Sequence, residues 1–273
     1  MRLPQSPRAM PLPAVSLPTA GWALMVMLGV GYALALAHGR LSLASLPVFA
    51  GLLLAGICVR RGSRAWQLAG HAAFVCLALG LGLHGLSGFH NGMVSLPPAS
   101  QWHALGSFYL NLDKPLIGVW LLLACPWVVP RHSAGQVLGI TLLATPVTLL
   151  VCLLAALASG LVVWLPGWSP GGWLWAANNL LLVCVTEELL FRGYLQGALV
   201  RRWPTHPVLT TLGAAALFGL AHAPGGAGWA VTAGLAGIGY GWAYHRGGLL
   251  AAVAVHFAVN LVYFGGFVAA GTR

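Results

Sequence analysis

A chain of 273 residues that is 59% hydrophobic and only 6% charged, with a formal net charge of +10, lacks the polar surface of a soluble domain. Its apolar residues fall in blocks of roughly 15 to 25, the length an α-helix needs to cross a bilayer, and not in the short alternating segments of a transmembrane barrel. The 13 basic residues stand singly or in pairs at block ends, which suits anchoring in a lipid bilayer and argues against a nucleic-acid partner.

Taken in chain order, the blocks predict spans at 21–38, 43–59, 65–86, 115–129, 137–165, 173–198, 207–223, 228–245 and 248–270. The expected fold class is an all-α polytopic membrane protein of about eight to nine transmembrane helices, in a single membrane domain over 1–273. The fourth block is short and the fifth long, so one of them is expected to be re-entrant or tilted. Arg2 and Arg8, followed by an apolar stretch ending in ALALAHG (33–39), also fit a cleaved signal peptide. The region before the apolar stretch is long for that, and a retained helix is the expectation.

With the N-terminus in the cytoplasm, Arg2, Arg8, Arg60, Arg61, Arg64, Arg131, Arg201, Arg202 and Arg246 fall inside, and Arg40, Lys114 and Arg273 outside. The bias favours this orientation, in a membrane expected to be the bacterial cytoplasmic one. The long polar stretch 87–114 then lies outside and carries Asp113, expected to be an interfacial ion pair or a helix cap. Five cysteines, Cys58, Cys76, Cys125, Cys152 and Cys184, each sit in an apolar block and read as core hydrophobes.

The chain has three acidic residues, and two of them, Glu187 and Glu188, are adjacent in the stretch TEELLFRGYL (186–195), inside a span. An acid or arginine at the centre of a spanning helix costs roughly 2.5 to 3.5 kcal/mol, so these groups must be paired or face a wet cavity. Glu188 and Arg192 stand at i and i+4, where a carboxylate N-terminal to a cation pairs well. Glu187 is rotated by about 100° and left free for chemistry.

The next spans repeat the rhythm. Phe218 lies one turn before His222, and His256 one turn before Asn260, so an aromatic wall is expected to fix the first imidazole and an amide hydrogen bond the second. His38, His90, His103, His132, His206 and His245 fall in loops or at span ends, while His71 and His84 read as packing or interface residues. Counted from the cytoplasmic ends at 1.5 Å per residue, Glu187, His222 and His256 fit one layer.

Such a layer suits water chemistry. Glu187 can serve as general base beside His222, or Glu187, His222 and His256 can ligate one divalent, zinc-like metal ion that activates the water. His256 and Asn260 can donate to an oxyanion. An intramembrane acid with histidines suits a proton-coupled transporter equally well on physical grounds. No HExxH and no aspartate pair occurs in the chain.

The set EExxxR (Glu187, Glu188, Arg192), FxxxH (Phe218, His222) and HxxxN (His256, Asn260), in this order on successive spans, resembles the CPBP (Abi) family of intramembrane endopeptidases. That family includes type II CAAX prenyl proteases and bacteriocin-processing or immunity proteins. The resemblance covers about 173–265, and all three motifs are complete. It implies hydrolysis of a peptide bond in a membrane-associated protein or peptide, with Glu187 essential, His222, His256 and Asn260 catalytic, and Glu188, Arg192 and Phe218 supporting. Metal-assisted and glutamate-activated mechanisms both stay open, as does an inactive immunity or scaffold member.

Overall fold

The computed structural model of the protein describes residues 19–95, 107–130 and 132–270. Arg2 and Arg8, with the signal-peptide alternative that rests on them, and His103, Arg131 and Arg273 lie outside the described residues. The helices are α1 (Thr19–Ala37), α2 (Leu46–Val59), α3 (Arg64–Gly82), α4 (Lys114–Ala124), α5 (Ala134–Ala158), α6 (Gly172–Arg202), α7 (Pro207–Ala221) and α8 (Ala227–Gly266). Four of them, α3, α5, α6 and α8, are long and apolar enough to cross a membrane. The shorter apolar helical stretches are Leu28–Ala37, Leu43–Val59, α4 and α7.

Local chemistry sets the ends. Asp113 caps α4 by accepting from the Lys114 N–H at 2.8 Å, with Pro115 in the first turn. Ser133 Oγ accepts from the Gln136 N–H at 3.2 Å to open α5. Pro207 starts α7, and the run Ala223–Gly226 ends it. Within α8 the chain breaks at Gly248 (φ 76°, ψ −171°), dividing it into helical segments 227–247 and 249–266, close to the apolar blocks 228–245 and 248–270. A side chain at Gly248 would collide with the His132 imidazole as well as adopt a left-handed backbone, so only glycine fits.

On α5 one face is lipid-like and the other packs. Leu138, Leu142, Val147, Leu150 and Leu154 are exposed, whereas Ala144, Thr148, Cys152 and Ala156, spaced by four, are buried. That small-residue stripe lets α5 lie close against α8, since a Cβ on Gly239 would overlap the Thr148 side chain. A second core joins α2, α3 and α4, with Phe74 stacked on Trp120 at 3.8 Å.

Two small ribbons depart from the all-helical expectation. The strands β1 (Gly92–Ser95) and β2 (Ser107–Leu110) pair antiparallel within the stretch expected to be a polar loop. β3 (Val162–Trp164) pairs antiparallel with β4 (Phe267–Ala269). The expected spans 137–165 and 248–270 therefore overshoot, because α5 ends at Ala158 and α8 at Gly266. Apolar strand residues at the end of a bundle match the helix beside them in composition, so a hydropathy block cannot divide them. Likewise 115–129 shortens to α4 and a 3₁₀ turn at Pro126–Val128. Both ribbons lie at the same end of the bundle, together with the segments after α3, α5 and α7, and this loop-rich end is where the functional site opens.

Candidate active site

α6 is not a uniform α-helix. It carries two π-helical stretches, Asn179–Cys184 and Leu189–Gln196, on either side of an α-helical turn at Val185–Glu188. Widened turns of this kind recur at functional sites because they re-aim side chains that regular spacing would point elsewhere. The two glutamates sit in the short regular turn between them.

Glu188 is wholly buried. Its Oε1 accepts from Arg192 Nη1 at 3.0 Å, as the i,i+4 spacing predicts, and from His256 Nδ1 at 2.8 Å. Arg192, also wholly buried, donates from Nη2 to the Gly237 carbonyl at 3.1 Å. Its guanidinium carbon lies 4.5 Å from the Phe218 ring centre and 5.3 Å from that of Tyr240. Tyr240 in turn stacks on the His256 ring at 4.5 Å and 15°. Paired charges, a carbonyl and aromatic faces offset the cost of desolvating the ions, and together they tie α6, α7 and both segments of α8 into one knot.

The knot orients the groups beside it. A carboxylate only accepts, so the His256 Nδ1 carries the proton of that bond. His222, half-buried at the C-terminal end of α7, is fixed in the Nδ1–H tautomer by the Phe218 carbonyl, which lies 2.8 Å from its Nδ1. Its ring also rests against Phe218 at 4.6 Å. α7 can come this close to α8 because Gly219 has no side chain: a Cβ there would lie 2.6 Å from the Ala230 carbonyl.

Asn260 does not fix His256, as the i,i+4 spacing suggested; Glu188 does. The Asn260 Nδ2 donates instead to Asn179 Oδ1 at 3.2 Å and lies 3.6 Å from Cys184 Sγ, whose thiol also donates to Asn179 Oδ1 at 3.2 Å. The reason is rotational. An i,i+4 relation puts two side chains on one face without choosing between local and cross-helix partners, and α6 supplies better ones to both residues.

His222, His256 and Asn260 line one cavity of about 370 Å³, walled by Phe218, Tyr240, Trp175 and Trp229 and rimmed by β3 and β4. Glu187 is not among its lining residues, and it has no hydrogen bond or ion pair among the described residues. Helix register brings it near. Phe191 meets Phe218 edge to face at 5.1 Å where α6 and α7 run antiparallel. One turn from this contact toward the loop-rich end stand Glu187 on α6 and His222 on α7. Glu187 is half-buried there, beside the knot but outside it.

No group of three His, Cys, Asp or Glu side chains converges at ligand geometry among the described residues. Glu187, His222 and His256 as placed therefore do not form a three-ligand metal cradle. Sequence reasoning did not single out Tyr240, Gly237, Asn179 or Cys184. Asn179 carried a usable signal, because the pair Asn178–Asn179 is polar within an apolar span, and intramembrane polar residues are functional by default. Tyr240 and Gly237 carried none.

The fold and site define a helical integral membrane protein with a histidine-lined cavity between its C-terminal helices. Over residues 166–262 the chain matches the family model described as Rce1-like: type II CAAX prenyl endopeptidase Rce1-like, a protease family. The match spans all three motifs and bears out the resemblance read from them. No curated protein and no solved structure matches the chain.

Proposed function

We propose that the protein is an intramembrane endopeptidase that hydrolyses a peptide bond of a membrane-associated protein or peptide. The observation that carries this reading is the convergence of His222, His256 and Asn260 on one cavity inside the segment that matches the protease family. The buried pair of Glu188 and Arg192 adjoins this cavity through His256, Phe218 and Tyr240, where it supports the lining.

In the proposed reaction Glu187 takes a proton from a water held between it and the lone pair of His222 Nε2. The oxygen attacks the scissile carbonyl carbon, and the carbonyl π electrons move to oxygen. Asn260 donates one Nδ2 hydrogen to Asn179 and the other, weakly, to the Cys184 sulfur; in the reaction this second hydrogen turns from the thiol to that oxyanion, with His256 beside it. Collapse of the tetrahedral species expels the amide nitrogen, which receives the proton from Glu187. Glu188 and Arg192 touch no reacting atom; they hold His256 and the shape of α6.

The finer topology belongs to the same proposal. The shorter apolar helices complete the crossings, Gly248 divides α8 into two spans, and the total is nine with the N-terminus in the cytoplasm of a bacterial inner membrane. The test is comparative mapping of membrane-protein termini in cells carrying the protein or its Glu187→Gln variant. Termini that vanish only in the variant are the expected result. Equal termini, or a Glu187-dependent proton flux in liposomes with no cleavage, would sink the reading.

A further inference from the structure

Next to the cavity of His222 and His256 lies a second, polar cleft of about 540 Å³ at the loop-rich end, between the β1–β2 hairpin and the start of α6. Its polar lining is His84, Asn91, Asn111, Lys114, Asn178 and Asn179. Trp175 lines both spaces, and Asn179 reaches from the cleft to Asn260 at 3.2 Å. Val183, four residues before Glu187 on α6, lines the cleft as well. The two spaces are thus neighbours across one indole and a pair of amides.

Two groups in the cleft lack partners. Lys114, the one lysine of the chain, is half-buried, and its ammonium has no hydrogen bond or ion pair among the described residues. The adjacent carboxylate does not serve it. Asp113 Oδ2 accepts from His84 Nδ1 at 2.6 Å and Asn91 Nδ2 at 3.1 Å, while Oδ1 accepts from the Lys114 backbone N–H at 2.8 Å. Asn178 is only 9% exposed, and its buried Oδ1 finds no donor among the described residues. A buried acceptor without a donor is costly to maintain, so the cleft calls for an anion at Lys114 and an N–H at Asn178. An extended peptide bearing a carboxylate supplies both.

We propose that this cleft docks the polar flank of the chain being cut, with a carboxylate of that chain on Lys114 and one of its backbone N–H groups on Asn178 Oδ1. The proposal rests on the peptidase reading, which puts the scissile bond in the adjoining cavity. Lys114 lies outside the family match and takes no part in the reaction above.

The test uses the full chain in phosphatidylcholine vesicles and pools of short degenerate peptides in three forms: C-terminally amidated without acids, the same with a free C-terminus, and amidated with one internal glutamate. Retention is read by fluorescence anisotropy. At least one carboxylate-bearing pool should be held about tenfold more tightly than the neutral pool, the weight of one charge-assisted hydrogen bond. Which of the two wins identifies the source of the carboxylate. Lys114→Met should remove the preference and Lys114→Arg should keep most of it, while Asn178→Leu should weaken every pool. Equal retention of all pools, or a preference that survives Lys114→Met, overturns the proposal. So does Lys114-dependent binding of phosphatidylglycerol without any peptide preference, which would make the cleft a lipid site. Carboxylate-selective binding by a wild-type protein that cuts none of the bound peptides would uphold the cleft and sink the peptidase reading.

Discussion

Two carboxylates in this protein are almost wholly buried, and each is held by the Nδ1 of a histidine: Glu188 by His256 at 2.8 Å within the bundle, and Asp113 by His84 at 2.6 Å at its loop-rich end. Their surroundings separate them. Asp113 finishes its bonding with a backbone N–H next door and the Asn91 amide, so it closes one helix end over a hairpin. Glu188 has a buried cation as its second partner, and that cation is caged by rings from α7 and α8. The same pair of functional groups thus fastens a loop in one place and several helices in the other. What decides is whether a compensating charge has also been taken out of water.

A third carboxylate, Glu187, completes the contrast, being the one left without a partner. Glu187→Gln is expected to have the largest effect on turnover, lowering cleavage by roughly 10² to 10⁴-fold with the melting temperature unchanged, since general-base assistance is of that order. A variant that still cuts at full rate would move the base elsewhere.

Arg192→Ala probes the knot. Stranding a buried partner costs about 3 to 5 kcal/mol, so abundance and thermal stability in detergent should fall sharply. The double variant Glu188→Gln with Arg192→Met should recover part of that loss, because no uncompensated charge remains. If the double variant is worse than Arg192→Ala, the knot is not held by charge pairing.

The Asp113 centre should respond more mildly. Asp113→Ala removes a helix cap and a half-exposed partner, for about 1 to 2 kcal/mol by chemical denaturation, and Asp113→Asn, which keeps an acceptor for the cap, should lose less. The smallest change is expected from Asn179→Ala, which frees the Asn260 amide. It should lower kcat by roughly fivefold, the weight of one neutral hydrogen bond, with KM and stability little altered. A matching fall in stability would make Asn179 merely structural.

Local relations in this chain were legible without coordinates. Glu188 with Arg192 and Phe218 with His222 are each one helical turn apart, so the geometry of a single helix dictated them. The division of α8 was legible too, since Arg246 falls between the apolar blocks 228–245 and 248–270. By contrast, the Glu188–His256 bond spans 68 positions, and the Asn260–Asn179 bond spans 81. Spacing within one helix says nothing about the rotation of its neighbour, and that rotation assigned His256 to Glu188 and turned Asn260 away. The π turns of α6 were equally hidden, because they arise from packing and leave no composition behind. The ribbons were concealed by apolar strands that match the adjoining helices in hydropathy.

The amino-acid sequence alone settled that this chain is a helical membrane protein, that two of its three acids stand with Arg192 inside one span, and that its motifs resemble those of a protease family. These conclusions follow from transfer free energy and helical period, both properties of short segments. The tertiary structure decided that Glu188 also takes His256, that Asn260 turns to Asn179, and where the cavity and the polar cleft lie. Those outcomes depend on how closely helices approach one another, and here that distance is governed by glycines and small residues whose partners lie on other helices.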